Sequence, residues 1–254
     1  MKVALVITNH HSQNLRPYGR ELLINAMNSF KNNAKFKYEI VIVDNQSDTN
    51  LANDFESVDG IHYFYVKNQW ERGLTGAWNL GIKEASKLDC DIILNSNDDV
   101  IFNESINDFV DQIAKNRSKD NAVFGPVTNG VEGPQYSEAL NSLMSKELVF
   151  DPKVRRLLNG FFFGLTNSFY KKYMYENGDL FAEFNKFDKS YIHKWARADG
   201  KWGGQEGEFE RWVPLGARFF VVGECWINHL DKSDWYRARC VAGEFGWHMT
   251  EGYQ

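Results

Sequence analysis

The chain has 254 residues and a formal net charge of −5 at pH 7. Hydrophobic residues make up 43% of it and charged residues 25%, which is enough apolar material for a folded domain with a buried core. The negative charge argues against nucleic acid as a partner, because such a surface needs a dense basic face. No apolar run approaches the roughly 20 residues that span a bilayer, and Met1-Lys2 leads directly into a strand-like run. We therefore expect a soluble, cytoplasmic protein without a transmembrane segment.

Strand and helix patterns alternate through the first half of the chain. Apolar runs of strand length and apolar residues at helical spacing follow one another. The predicted strands are 3–7, 40–43, 61–66, 92–94 and 122–124, and the predicted helices are 22–30, 74–88 and 106–116. This alternation predicts an α/β fold, with a mainly parallel sheet flanked by helices on both faces.

The pattern loosens after residue 126. A long loop is expected over 127–150, followed by strands at 161–165 and 218–222 and by helices at 186–197 and from Glu206 onward. We expect a single domain, 1–254, with a first half at 1–126, a second half at 127–230 and a C-terminal tail at 231–254.

Polar residues follow three of the predicted strands at their carboxyl ends. Thr8-Asn9 end the first strand, Asp44-Asn45 the second and Asn95 to Asp99 the fourth. In a parallel sheet these ends share the edge where α/β proteins bind ligands. Turn formation would explain any one of them alone, but their joint placement favours a site.

The triplet Asn97-Asp98-Asp99 predicts a cation at this edge, since carboxylate oxygens are preferred ligands of hard divalent ions. The segment 9–14 after the first strand contains no glycine, so neither a Rossmann loop nor a P-loop is present to cradle phosphates. A diphosphate held here would need a metal, Mn²⁺ or Mg²⁺, positioned by Asp99 with Asp98.

These residues resemble the GT-A-fold glycosyltransferases, most closely the inverting family 2 and its relatives, over roughly residues 2–230. The run 41–48, VIVDNQSD, is similar to the family's second strand with its acidic residue, and Asn68 with 72–82, RGLTGAWNLGI, is similar to its N-x-G-x-x-x-A-x-N-x-G helix. Asn97-Asp98-Asp99 stands where the family has its DxD motif. Asn97 departs from that motif, because an acid is expected at the first position.

The strand ends and the resemblance together imply a set of binding residues. The residues expected at the nucleotide are Thr8, Asn9, Asp44, Asn68, Gly73, Asn79, Asn97 and Asp98, with Asp44 at the base. The residues expected at the metal are Asp99 and His229. His229 is similar to the histidine that ends the catalytic region of many relatives, and imidazole suits manganese better than magnesium. The alternative for His229 is a hydrogen-bonded histidine at a strand end.

Glu206 is the candidate general base. Trp202-Gly203-Gly204-Gln205-Glu206 is similar to the Gly-Gly-Glu-Asp stretch on the acceptor side of the family. A carboxylate there would take the proton of the attacking hydroxyl. Glu208 and Glu210 are competitors, and acidic residues at a helix start also suit the helix dipole.

The resemblance implies an enzyme, a metal-dependent inverting hexosyltransferase that moves a sugar from a nucleotide-diphosphate donor to a hydroxyl acceptor such as a glycan. A UDP-sugar is the expected donor and a GDP-sugar the second. Residues 1–126 are expected to form the nucleotide-binding half and residues 127–230 the acceptor-side half. The tail 231–254 is interpreted as an acceptor lid, a membrane-facing or partner-binding segment, or the remnant of a longer enzyme. The alternative is a non-catalytic nucleotide-sugar or glycan-binding module on the same fold, because Asn97 and Gln205 replace acidic residues. A nucleotidyltransferase is ranked last, since it would need a glycine-rich and basic loop after the first strand.

Overall fold

The computed structural model describes residues 1–13, 16–49, 51–55, 57–66, 69–116, 120–129, 133–137, 144–151, 157–182 and 206–230; for 69–72 and 206–208 it describes the backbone alone. The strands are β1 Lys2–Asn9, β2 Lys37–Asn45, β3 Ile61–Val66, β4 Ile92–Asn97, β5 Val100–Ile101, β6 Ala122–Val127, β7 Lys146–Leu148, β8 Phe162–Thr166, β9 Arg218–Trp226 and β10 Asn228–His229. The helices are α1 Gly19–Asn33, α2 Ala52–Phe55, α3 Gln69–Ala85, α4 Ile106–Lys115, α5 Asn167–Tyr173 and α6 Glu206–Trp212, followed by a 3₁₀ turn at Val213–Leu215.

The central sheet has eight strands in the order β3-β2-β1-β4-β8-β6-β9-β7. β1 is parallel to both β2 and β4, β2 is parallel to β3, and β6 is parallel to β9. β8 runs antiparallel between β4 and β6, and β7 runs antiparallel on the β9 edge. A second, two-stranded sheet pairs β10 with β5. The predicted α/β class is confirmed, and the sheet is parallel on its β3-β2-β1-β4 side and mixed beyond it.

Helices cover both faces of this sheet because its strands are apolar on both sides. Along β1, Leu5 and Ile7 belong to the core under α1 and α4, whereas Ala4 and Val6 belong to the core under α3. All of these side chains are fully buried. This continuous apolar run is typical of a strand in a parallel sheet covered on both faces.

The predicted loop over 127–150 is wrong at Lys146–Leu148, which form β7. The first two residues of this short edge strand are exposed, so it carries none of the apolar alternation by which a strand is recognised. Helix α5 was also not predicted; its first turn is capped by Thr166, whose Oγ1 accepts a hydrogen bond from the Phe169 backbone N–H. The predicted helix 186–197 and the tail 231–254 lie outside the described residues. The division into two halves stays a prediction.

Close packing of α3 on the sheet depends on Gly81. A Cβ at this position would lie 2.3 Å from Val6 Cγ1 and 3.0 Å from Val43 Cγ2, both in buried strands. Gly81→Ala is therefore expected to lower the free energy of unfolding by about 1–3 kcal/mol, measured by urea denaturation. Within an ordinary helix the same change stabilises by about 1 kcal/mol, so a more stable variant would contradict the close approach.

Candidate functional site

Three polar strand ends meet at one edge of the sheet, as the sequence predicts. Asn9 of β1 lies opposite Asp44 of β2, and Thr8 lies opposite Asn97 of β4. The three strands are neighbours in the order β2-β1-β4. Residues separated by up to 89 positions in the sequence therefore share the edge at which α/β sheets commonly bind ligands.

The α3-facing side of this edge carries buried polar atoms without hydrogen-bond partners. They lie on adjacent strands, where alternation places these residues on the same face as Val6 and Val43. The atoms are Thr8 Oγ1, Asn45 Oδ1, Asn95 Oδ1, Asn95 Nδ2 and Asn97 Oδ1. Each buried polar atom without a hydrogen bond lowers the stability of the folded state by about 1–3 kcal/mol. Such atoms are therefore expected to bind a ligand or a water molecule. The predicted nucleotide residues Thr8 and Asn97 are thus in a position to receive one.

Asp98 is fully engaged by the protein itself. Arg16 donates from Nη1 to Asp98 Oδ2 and from Nη2 to Asp98 Oδ1, each at 2.5 Å, and Asn9 Nδ2 donates to Oδ2 at 2.5 Å. The Asp98 side chain is only 3% exposed. Arg16 was not identified from the sequence, because 82 residues separate it from Asp98 and no motif links the two.

Asp99, by contrast, faces His229. The antiparallel pairing of β10 with β5 sets His229 opposite Val100, and the Leu230 N–H donates to the Asp99 carbonyl at 2.8 Å. His229 Nε2 lies 3.4 Å from Asp99 Oδ1, and the imidazole stacks on Phe161 with ring centroids 4.7 Å apart. Burial by itself would raise the pKa of Asp99, but the imidazole and the Arg16 guanidinium hold that pKa below its usual value. The two predicted metal ligands, 130 positions apart in the sequence, are therefore brought together.

This pair fits a divalent cation. Asp99 Oδ1 is buried and accepts no hydrogen bond, and an imidazole nitrogen is next to it. Carboxylate oxygen and imidazole nitrogen are both donors to divalent metal ions of the first transition row. Within the described ranges no group of three or more His, Cys, Asp or Glu side chains comes together, so a metal here would take its remaining ligands from a bound substrate or water.

Asp44 is held at the end of β2. Its Oδ1 accepts a hydrogen bond from the Ser47 N–H at 2.9 Å and its Oδ2 accepts one from the Tyr63 hydroxyl at 2.5 Å. Burial and the neighbouring carboxylate raise the pKa of Tyr63, so the phenol stays protonated as the donor. The side chain of Asp44 is fully buried. Its hydrogen bond from the Ser47 N–H supports the alternative that Asp44 stabilises the turn after β2. Its contact with a base stays a prediction.

The loops after β1 and β2 are tied to each other. His10 Nδ1 lies 2.9 Å from the Asn45 carbonyl oxygen, and burial lowers the pKa of this histidine. The His11 N–H donates to Ser47 Oγ and the Asp48 N–H donates to the His11 carbonyl, each at 2.9 Å. Arg16 Nη1 also donates to the His10 carbonyl at 2.9 Å. The two loops and the end of β4 therefore form one connected platform.

Two further predicted nucleotide-binding residues, Gly73 and Asn79, belong to α3. Asn79 is fully buried and is bonded to backbone: its Oδ1 accepts from the N–H groups of Leu180 and Phe181, and its Nδ2 donates to the Phe181 carbonyl. These hydrogen bonds hold residues 180–181 against α3. Gly73 interrupts α3 with φ 56° and ψ −154°, a conformation that suits glycine. Asn68 and the Glu206 side chain lie outside the described part of the chain, although Glu206 begins α6 as predicted.

The mixed α/β sheet, flanked by helices on both faces, matches the GT-A fold, and comparison with known proteins gives the same class. The chain belongs to glycosyl transferase family 2, whose model matches residues 14–179. No match was found among curated protein sequences. None of the described helices is both long and apolar enough to cross a membrane.

Solved structures show the same fold. TarS 1-349 from S. aureus aligns with a TM-score of 0.57 and 16% identity over 96% of this chain, and 65% of the TarS chain is covered. The same protein in complex with UDP-GlcNAc aligns with a TM-score of 0.57 and 14% identity over 96% of this chain and 66% of that one. GalNAc-T7 with UDP, GalNAc and Mn²⁺ aligns with a TM-score of 0.56 and 14% identity over 90% of this chain and 44% of that one.

Proposed function

We propose that this protein is a glycosyltransferase that moves a sugar from a nucleotide-diphosphate donor to a hydroxyl acceptor with inversion at the anomeric carbon. The observation that carries the proposal is the placement of Asp99 beside His229 at the edge where β1, β2 and β4 end. Membership of family 2 supports the reaction class.

The metal-binding residues in this proposal are Asp99 and His229. When bound, a divalent ion supplies positive charge that neutralises the leaving nucleotide diphosphate. Asp98 is not assigned to the metal, because both of its oxygens accept hydrogen bonds from Arg16. Thr8 and Asn97 offer unpartnered oxygens to the donor. Asp44, at the end of β2, is the residue proposed to contact the nucleotide base.

Glu206 is proposed as the general base. The acceptor oxygen attacks the anomeric carbon, the bond from that carbon to the diphosphate oxygen breaks, and the acceptor proton passes to the Glu206 carboxylate. Helix α6, which begins at Glu206, is anchored by the fully buried side chains of Phe209 and Trp212. A base on a helix held in the core would keep a fixed position toward the acceptor.

A UDP-sugar is the proposed donor, with a GDP-sugar second. Two structural neighbours carry UDP or UDP-GlcNAc in their complexes, which supports the order. The acceptor is proposed as a hydroxyl of a glycan or similar molecule.

A binding module on the same fold is the second candidate. The observation that favours it is the loss of acidic character at the triplet, since Asn97 replaces an acid and Asp98 is neutralised by Arg16. Such a module would bind a sugar nucleotide without releasing the nucleoside diphosphate.

A thermal-shift screen of nucleoside diphosphates and sugar nucleotides, with and without Mn²⁺, tests the proposed ligand class. A ligand at a hundredfold excess over its Kd stabilises the native state by about 2.7 kcal/mol, which corresponds to a rise in Tm of roughly 5–10 °C for a chain of this size. We expect a rise with UDP or a UDP-sugar that depends on Mn²⁺. The absence of any shift across the panel would count against both the enzyme and the binding module.

A further inference from the structure

Adjacent carboxylates at the end of β4 have different environments. Asp98 accepts both prongs of the Arg16 guanidinium and a third hydrogen bond from Asn9, and it is almost completely buried. Asp99 is 30% exposed, faces His229 and has an oxygen that accepts no hydrogen bond. Both oxygens of Asp98 are therefore occupied by hydrogen bonds within the protein, whereas Asp99 keeps one oxygen that can bind a metal ion.

The fork geometry of the guanidinium accounts for this difference. Each Arg16 terminal nitrogen meets one Asp98 oxygen, so the pair is bidentate, the arrangement in which arginine holds a carboxylate most firmly. The Arg16 side chain is itself only 14% exposed. For Asp98 to bind a metal it would have to leave a buried guanidinium without its partner, which is strongly unfavourable.

Arg16 also lowers the negative charge of the site. Asp98 and Asp99 alone would place two negative charges at the point where an anionic diphosphate has to bind. With Arg16 paired to Asp98, the three side chains carry a net charge of about −1, and repulsion of the diphosphate is reduced accordingly. Arg16 Nη1 also donates to the His10 carbonyl, and this bond links the pair to the loop after β1.

We propose that Arg16 is a positioning residue that withholds Asp98 from metal coordination and leaves Asp99 as the single carboxylate ligand at this strand end. The proposal rests on the proposed function for the identity of the site as a metal and diphosphate site. It assigns opposite roles to neighbouring carboxylates: Asp98 holds Arg16 and the loop, and Asp99 holds the metal.

Mn²⁺ binding to the full chain, measured from the electron paramagnetic resonance signal of free Mn²⁺ without nucleotide and with UDP, tests the proposal. Arg16→Met frees a second carboxylate, so it should raise the affinity for Mn²⁺ without nucleotide by about tenfold or more. The matched double variant, Arg16→Met with Asp98→Asn, removes both members of the pair at unchanged net charge and should bind Mn²⁺ within about twofold of wild type. Asp99→Asn should lose at least about tenfold.

The outcomes separate the alternatives. A double variant that loses Mn²⁺ as severely as Asp99→Asn shows that Asp98 is a ligand and overturns the proposal. An Arg16→Met protein with a lower Tm but unchanged Mn²⁺ affinity shows a purely structural ion pair and also overturns it. If Arg16→Met fails to fold, the comparison of the charge-neutral double variant with Asp99→Asn still decides. A wild-type protein that binds no Mn²⁺ with or without UDP contradicts the metal-dependent function itself, and Arg16 then has no metal to exclude.

Discussion

Replacing Asp99 with asparagine is expected to abolish Mn²⁺-dependent turnover of the donor. Among the described residues at this strand end, Asp99 is the carboxylate that faces His229 and is not paired with Arg16. A bound metal contributes several kcal/mol to the stabilisation of a leaving group. The value of kcat/KM should therefore fall by about 100- to 1000-fold. The measurement is the steady-state release of nucleoside diphosphate over a range of Mn²⁺ concentrations.

Asp111→Asn is the matched control for this change, because Asp111 is an exposed residue of α4 and the substitution also removes one negative charge. It should leave both turnover and the Mn²⁺ dependence unchanged. An Asp99→Asn enzyme with wild-type activity, or wild-type activity that survives EDTA, would refute the metal role.

Replacing Glu206 with glutamine is expected to remove transfer while leaving donor binding intact. Glutamine has the shape of glutamate but cannot take the proton of the acceptor hydroxyl. General base catalysis contributes about 10²- to 10⁴-fold, so kcat for transfer should fall by that factor while the Kd for the donor stays within error. Transfer to an acceptor and donor binding by calorimetry are measured on the same preparation.

Glu208→Gln on the same helix is the comparison for the Glu206 variant. It makes the same chemical change two residues further along α6. If Glu208→Gln shows the loss and Glu206→Gln does not, the base has been assigned to the wrong glutamate.

Five strands of the first half of the chain could be predicted from sequence because each contains at least three consecutive apolar or aromatic residues. β1, β2, β3, β4 and β6 all include the predicted residues, and the polar ends of three of them meet as expected. The strands beyond this half were harder to predict. β7 is a short, exposed edge strand and β8 is inserted antiparallel into the sheet, and local apolar spacing does not determine strand order or direction.

The pairing of Asp99 with His229 was predictable only through the resemblance. The two residues are 130 positions apart, and the short β5–β10 ladder that joins them has two residues in each strand. Nothing in the local pattern of either segment identifies the other. The resemblance named both residues, and the structure places them 3.4 Å apart.

The roles of Asp98 and Asn79 illustrate what spacing cannot reveal. Both are polar residues in motif-like positions, and both are saturated by contacts with distant parts of the chain, Asp98 by Arg16 and Asn79 by the backbone of 180–181. A motif identifies residue types at a strand end or on a helix. Which of those side chains remain open to a ligand depends on contacts between segments that are far apart in sequence.

Donor turnover by the wild-type protein distinguishes a glycosyltransferase from a binding module. The donor selected by the thermal-shift screen is incubated with the full chain, Mn²⁺ and a panel of glycan acceptors, and the release of nucleoside diphosphate is followed together with the anomeric configuration of the product. We expect release that requires Mn²⁺ and yields an inverted sugar linkage. Tight binding of that donor with no release of nucleoside diphosphate, to any acceptor or to water, would contradict it and identify the protein as a binding module.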